Sequence, residues 1–170
     1  VPMILGRLRG RDGEWNGVAA GMSGSPVTIG GKLVGALSYS IGQFPKEPVC
    51  GITPIATMLA LENYPGGALP WRETKSNGAT LAPLPMTLSF QGFSPSTVAQ
   101  LPAVLQELGV TQAVTAVLAA SGEPPKSPES FAPGRAIAAL LTWGDTKIGA
   151  TGTITYNDGK RILAFGHPFM

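Results

Sequence analysis

Charged residues, cysteine and histidine are all scarce in this sequence, and each shortage excludes a class of site. Twelve lysines and arginines against ten acidic residues leave a formal net charge of +2, which is too small to indicate nucleic-acid binding. Cys50 and His167 are the single residues of their types, so neither an internal disulfide nor a zinc site is predicted. We expect no metal and no cofactor, and we interpret Cys50 as a small buried apolar residue.

Long hydrophobic runs are absent as well. No stretch is long and apolar enough to form a transmembrane segment. The residues that follow Val1 also lack the basic leader and the apolar core of a signal peptide. We therefore expect a soluble or peripheral chain. Because the sequence begins without an initiator methionine and stops three residues after His167, we also expect a processed or truncated piece that a further segment or chain completes.

Glycine and proline, by contrast, are abundant. The chain has 23 glycines and 16 prolines, while apolar residues make up 44% of it, and this composition favours short strands and turns over long helices. The sequence therefore predicts a mainly β protein. Strands are predicted at residues 3–8, 18–20, 26–29, 33–40, 49–53, 86–90, 136–143, 151–156 and 161–165.

One or two short helices are expected among those strands. Pro54 opens the first, which reaches about Asn63 because the apolar run behind the proline contains no breaker. Ser94 is a good N-cap for a second helix over residues 95–108, whose apolar side chains repeat at spacings of three and four. Pro102 lies inside this helix and is expected to kink it.

The segment between these two helices suggests a division of the chain. Residues 64–85 are rich in glycine, proline, asparagine and serine, a composition typical of a linker. We therefore place a domain boundary near residue 75. A β unit would occupy residues 1–75, and a second β-rich unit with one helix would occupy residues 76–170.

The most informative segment is Gly21-Met22-Ser23-Gly24-Ser25-Pro26, a serine turn flanked by glycines and placed between strand-like runs. Attack on a peptide carbonyl needs a hydroxyl at the tip of a tight turn, with nearby N–H groups aimed at the oxyanion. In this interpretation Ser23 is the nucleophile, and the N–H groups of Gly21 and Ser23 form the oxyanion hole. Such turns also occur as plain connections between strands, and that alternative stays open.

The histidine follows a predicted hairpin. Two alternating runs flank Asn157-Asp158-Gly159, a strong hairpin signal, and the second run leads through Gly166 to His167. Chymotrypsin-like enzymes present their general base at a similar strand end, so His167 is the candidate base. The alternative is a solvated turn residue beside a proline.

A further candidate lies on the strand that follows the serine turn. Ser38, Tyr39 and Ser40 are interpreted as an edge to which a substrate strand hydrogen-bonds by β-augmentation. The alternative is an interior strand with Tyr39 in the core.

With these pieces in hand, the chain resembles the SpoIVB-type serine peptidase family, whose members carry a Gly-Met-Ser-Gly-Ser-Pro nucleophile motif and a Gly-His motif. Residues 21–26 match the first motif, the likeness continues through 31–36 and 51–55, and residues 133–169 resemble the histidine-bearing segment. The resemblance implies a trypsin-like double β-barrel, permuted or incomplete here. It also implies an exported bacterial endopeptidase with a polypeptide substrate, in the periplasm or secreted.

The sequence departs from that family in two ways. The sporulation members place the histidine before the serine, which is the reverse of the order here, although geometry rather than order defines a triad. The family's acidic position falls near Leu8, where no carboxylate stands. Asp12 and Glu14 are expected in an exposed loop. Asp145 and Asp158 are expected in turns, where carboxylates usually satisfy local backbone donors.

Three functions are compatible with the sequence. The first is a serine endopeptidase that hydrolyses peptide bonds through an acyl-enzyme. The second is a non-catalytic binding or assembly subunit that keeps a peptidase-like scaffold. The third is autoprocessing, in which the chain is a product of its own protease activity.

Overall fold

The computed structural model describes residues 2–10, 17–19, 21–41, 49–63, 74–76, 79–85, 87–107 and 128–167. Strands dominate these residues and form two antiparallel sheets. The predicted mainly β class is therefore confirmed. Neither sheet closes on itself among the described strands, and the trypsin-like double barrel is not confirmed.

The first sheet is built around one long central strand. Its members are β1 (Ile4–Arg7), β2 (Pro26–Ile29), β3 (Lys32–Ile41), β4 (Val49–Pro54), β5 (Thr74–Ser76) and β6 (Ala79–Pro83). The order across the sheet is β1, β4, β3, β6, β5, and β2 also pairs with β3. β3 has neighbours on both edges, and its middle residues are buried without alternation, which shows that both faces of this part of the strand are covered.

The second sheet also has a long central strand. Its members are β7 (Thr87–Gln91), β8 (Ala136–Thr142), β9 (Lys147–Asn157) and β10 (Ile162–Ala164), and β9 pairs with each of the other three. The predicted hairpin is observed between β9 and β10, where Ile162 lies opposite Asn157. Gly159 supplies the positive φ of 83° that its turn requires.

Two helices accompany the sheets. Helix α1 (Ile55–Leu59) follows β4 directly and continues as a 3-10 helix over Ala60–Asn63, while helix α2 (Pro95–Glu107) follows β7. The Oγ of Ser94 accepts a hydrogen bond of 3.1 Å from the N–H of Thr97, which confirms the predicted N-cap. Neither described helix is both long and apolar enough to cross a membrane.

Each sheet carries its own hydrophobic cluster. Leu37, Cys50, Ile52 and Leu84 form the cluster of the first sheet, so the prediction that Cys50 is buried is confirmed. Burial raises the pKa of the Cys50 thiol, which keeps it protonated and unreactive at neutral pH. In the second sheet, α2 packs against buried side chains of β7 and β9.

Two segments differ from the prediction. Residues 17–19 form no strand, whereas the segment interpreted as a linker contains β5 and β6, which pair with each other and join β3. Asn77 and Gly78 are the two residues between these strands, and this dipeptide is the strongest local hairpin signal. The first sheet thus extends to Pro83, while the domain boundary near residue 75 stays a prediction.

Candidate active site

The serine turn is tied to β3 by backbone hydrogen bonds. Ser25 N donates to Met22 O at 2.9 Å, which closes the turn itself. Gly24 N donates to Leu37 O at 2.8 Å, and Leu37 N donates back to Ser25 O at 2.9 Å. Gly24 has a φ of 93°, a left-handed conformation that glycine adopts readily. The turn is therefore held to the first sheet on its carboxyl side.

The same turn is also tied to β9 of the second sheet. Thr153 N donates to Ser23 O at 2.9 Å, and the Thr153 hydroxyl donates to Gly21 O at 2.9 Å. The hydroxyl of Thr155, which is fully buried, donates to Gly24 O at 2.7 Å. Residues two apart on a strand share a face, so both hydroxyls meet the turn from one side. Three successive contacts fix its orientation.

The backbone that precedes the histidine meets the serine hydroxyl. Gly166 N donates to Ser23 Oγ at 3.2 Å, a contact between residues 143 apart in sequence. His167 is the next residue, with its Cα about 3.8 Å from that of Gly166. Both side chains are enclosed, since Ser23 is 3% exposed and His167 is 7% exposed. The structure thus brings the predicted nucleophile and the predicted base into one buried region.

Nε2 of His167, the ring nitrogen that acts as the base in a serine-histidine pair, is buried and makes no hydrogen bond to Ser23 Oγ among the described residues. Hydrogen bonds between catalytic groups are often long or misaligned before substrate binds and tighten afterwards. Proton transfer from Ser23 Oγ to Nε2 would therefore require these two atoms to come into hydrogen-bond contact when substrate binds.

The backbone turns at Phe165, two residues before the histidine. Phe165 adopts a φ of 58°, which costs a bulky residue on the order of 1 kcal/mol. Its N–H donates to Thr153 O at 3.3 Å. Its ring lies over Gly152, where an added Cβ would stand 2.5 Å from ring carbons. Packing of the ring on this glycine offsets the backbone strain.

Two N–H groups of the serine turn do not take part in the backbone hydrogen bonds described above. Met22 N, Gly24 N and Ser25 N all donate to backbone carbonyls, whereas Gly21 N and Ser23 N donate to no group within the described part of the chain. Because Met22 O accepts from Ser25 N, the trans peptide directs the N–H of Ser23 away from the turn. These are the two groups that were predicted to form the oxyanion hole.

The substrate edge expected at Ser38, Tyr39 and Ser40 is not open in this structure. Tyr39 and Ser40 pair with β4 on one side and with β6 on the other, and Ser38 O accepts a hydrogen bond of 2.8 Å from Leu84 N. Ser38 and Tyr39 are also buried, and burial raises the pKa of the Tyr39 phenol. The correct interpretation is the interior strand, because a β-augmenting peptide needs unpaired backbone groups.

The four carboxylates considered as acidic partners of His167 differ in their surroundings. Asp12 and Glu14 lie outside the described residues, and Asp145 is exposed. Asp158 accepts hydrogen bonds from the backbone N–H groups of Lys160 and Arg161 at 2.9 and 2.7 Å. It thus satisfies local donors, as expected of a turn carboxylate. No cluster of metal-binding side chains occurs among the described residues.

The hydrogen bonds at Asp158 predict how the stability of the fold changes at acidic pH. Hydrogen bonds from Lys160 N, Arg161 N and the Arg161 guanidinium lower the pKa of Asp158 to about 2. A carboxyl with a lowered folded-state pKa stabilises the fold above its unfolded pKa of about 3.9, and this contribution disappears as pH falls toward 2. We expect Asp158→Asn to lower the melting temperature at pH 6, with the difference from the unmodified chain shrinking as pH falls toward 2 and below. Melting curves across this range test it, and a constant difference would contradict the assignment.

Three threonines with a part in this site were missed by sequence reasoning: Thr53, Thr153 and Thr155. Thr53 donates its hydroxyl proton to Gly166 O at 2.6 Å, and the other two hold the serine turn. The run Thr151-Gly152-Thr153-Ile154-Thr155 puts hydroxyls on one face of β9, which was an available signal. Nothing in the sequence marks Thr53, because its partner is 113 residues away.

Comparison with known proteins does not add to this geometry. No protein-family model, no curated protein and no solved structure matches the chain. The function is therefore inferred from the serine turn, the histidine segment and the contacts between them.

Proposed function

We propose that this chain is a serine endopeptidase in which Ser23 is the nucleophile and His167 is the general base. The observation that carries the proposal is the hydrogen bond of 3.2 Å from Gly166 N to Ser23 Oγ. It brings the glycine-flanked serine and the histidine segment into contact, although they come from opposite ends of the chain. A nucleophile and a base need such proximity before any proton can move between them.

The reaction would follow the acyl-enzyme route. Ser23 Oγ forms a bond to the peptide carbonyl carbon while His167 takes the hydroxyl proton, and the protonated imidazole then passes that proton to the leaving amine. The C–N bond breaks and leaves an ester on Ser23. Water, deprotonated by the same imidazole, hydrolyses the ester and restores the hydroxyl. No metal or redox partner is needed.

The backbone of the turn supplies the remaining chemistry in this proposal. The N–H groups of Gly21 and Ser23 make no hydrogen bond within the described residues, so both are available to a developing oxyanion. The neighbouring bonds from Thr153 and Thr155 fix the turn before substrate arrives. Donors that are already oriented stabilise charge in the transition state without a reorganisation cost.

The finer proposals follow from the family resemblance. The two sheets would be parts of a permuted or incomplete trypsin-like double barrel, completed by a further segment or chain. The substrate would be a polypeptide, and the protein would act in the periplasm or after secretion. The serine turn supports these proposals, because it matches the family motif from residue 21 to residue 26.

Labelling with a fluorophosphonate tests the proposal directly. The folded chain is expected to form one covalent adduct, and peptide mass mapping is expected to find it on Ser23. The same chain denatured in urea should form no adduct, because reactivity requires the folded site. Absence of an adduct on the folded chain at any accessible pH would overturn the nucleophile assignment.

The non-catalytic binding or assembly subunit is retained as a second candidate, because the burial of Ser23 favours it. A hydroxyl that is 3% exposed and accepts a hydrogen bond from Gly166 N also fits a purely structural link between the two sheets. The labelling experiment separates the candidates. A structural serine gives no adduct, while a nucleophile gives one when the site opens.

A further inference from the structure

Gly166 lies between the predicted nucleophile and a threonine of the first sheet. Its N–H donates to Ser23 Oγ at 3.2 Å, and its carbonyl accepts from the Thr53 hydroxyl at 2.6 Å. The second contact is at the short end of the range for hydrogen bonds between oxygens. Both of the peptide groups that flank Gly166 are therefore held, one by each partner.

The hydrogen bond from Thr53 to Gly166 O also affects His167, the residue that follows Gly166. The carbonyl of Gly166 and the N–H of His167 belong to one planar peptide group, so holding that carbonyl fixes the direction in which the histidine backbone begins. Glycine otherwise has the widest backbone freedom of any residue. A residue with a side chain does not fit here, because an added Cβ would collide with the Ser38 hydroxyl and stand 2.6 Å from Leu37 O.

Thr53 is itself well fixed. It is 9% exposed and lies opposite Ala36 in the pairing of β4 with β3. Its N–H donates to Ser38 Oγ at 3.3 Å, and that hydroxyl donates to Ala36 O at 2.7 Å. A β-branched side chain on a strand has few rotamers, so the hydroxyl direction is set by the sheet.

We propose that Thr53 is a positioning residue, which sets His167 relative to Ser23 through the carbonyl of Gly166. This inference depends on the proposed peptidase function for its catalytic consequence. Its structural part, that Thr53 orders the Gly166 peptide groups, can be measured without any activity. Thr53 touches neither substrate nor the reacting atoms in this scheme.

Two substitutions at Thr53 test the inference. Thr53→Val keeps the shape of the side chain and removes the hydroxyl, whereas Thr53→Ser keeps the hydroxyl. Because one buried hydrogen bond is lost, we expect Thr53→Val to raise the amide exchange rate of Gly166 about tenfold and to lower the fluorophosphonate labelling rate of Ser23 by a similar factor. Thr53→Ser should keep both rates within about threefold of the unmodified chain.

Ser89→Ala is the matched control. It removes a buried hydroxyl that donates to Gly149 O at 3.0 Å in the second sheet, so it lowers stability without touching Gly166. We expect it to leave both the Gly166 exchange rate and the labelling rate unchanged when all variants are compared well below their melting temperatures. A similar fall in labelling for Ser89→Ala and Thr53→Val would mean that stability alone controls reactivity, and would overturn the inference.

The remaining outcomes separate this inference from the proposed function. Unchanged Gly166 exchange in Thr53→Val overturns the inference, whether or not Ser23 is labelled. Faster exchange with unchanged labelling also overturns it, because the ordering then has no effect on reactivity. If the unmodified chain forms no adduct at all, the peptidase proposal fails, and faster Gly166 exchange in Thr53→Val still supports the structural part.

Discussion

Replacing His167 with glutamine is expected to lower the rate at which a fluorophosphonate labels Ser23 by about 10³-fold, since general-base catalysis contributes a factor of this size. Glutamine has a similar reach but cannot accept the hydroxyl proton. Ser23→Ala is expected to abolish the adduct, because the nucleophile is absent. Labelling rates measured over a range of probe concentrations give the rate constant for each variant.

Ser25→Ala is the matched control for this comparison. Ser25 belongs to the same turn, and its described contacts are made by its backbone, through Met22 O and Leu37 N. Its hydroxyl has no part in the mechanism, so labelling should stay within about twofold of the unmodified rate. An adduct that persists in Ser23→Ala and disappears in Ser25→Ala would show that the wrong serine was assigned.

A joint substitution shows whether the two residues act as a unit. In a serine-histidine pair the losses are not additive, because each group is useless without the other. Hydrolysis of a sensitive peptide substrate should therefore fall by a similar factor in Ser23→Ala, in His167→Gln and in the double variant. A double variant that loses the product of the two single factors would contradict a shared mechanism.

The parts of the fold that could be predicted from sequence are those with local causes. Ser94 caps its helix through a contact only three residues long. The turn at Asp158 and Gly159 follows from short-range backbone chemistry, since glycine tolerates the positive φ and the carboxylate accepts from nearby N–H groups. In both places the residue and its partner lie in one short window of sequence.

The parts that were missed have distant causes. Whether Tyr39 lies at a sheet edge depends on β6, whose residues begin 40 positions later in the chain. The linker interpretation of residues 64–85 gave too much weight to composition, although Asn77 and Gly78 marked a hairpin. Strand pairing between remote segments is set by tertiary packing, which overrides local preference.

The candidate site shows the same division. The serine turn identifies Ser23 from six adjacent residues, but its meeting with Gly166 depends on the two sheets packing together. The threonines that hold this contact are ordinary strand residues by sequence. Their importance follows only from the hydrogen bonds that their hydroxyls donate to carbonyls of the serine turn and of Gly166.

Gly24 is the position at which this packing between sheets can be tested most severely. Its φ is 93°, and an added Cβ would collide with Thr153 O and stand 2.6 Å from Phe165 N. Both of those atoms are backbone and are already joined by a hydrogen bond of 3.3 Å. Rotation of a side chain therefore cannot relieve the collision. The methyl group of an alanine at position 24 would have to push the serine turn away from β9.

Gly24→Ala is accordingly expected to lower the free energy of unfolding by about 3 kcal/mol or more, which combines backbone strain with overpacking. Gly159→Ala is the matched control, since it has a φ of 83° with no atom within 4 Å of an added Cβ, and should cost only about 1 kcal/mol. Urea denaturation of both variants measures the difference. Equal losses would mean that strain alone explains Gly24, and that the serine turn does not pack on β9 as closely as the structure has it.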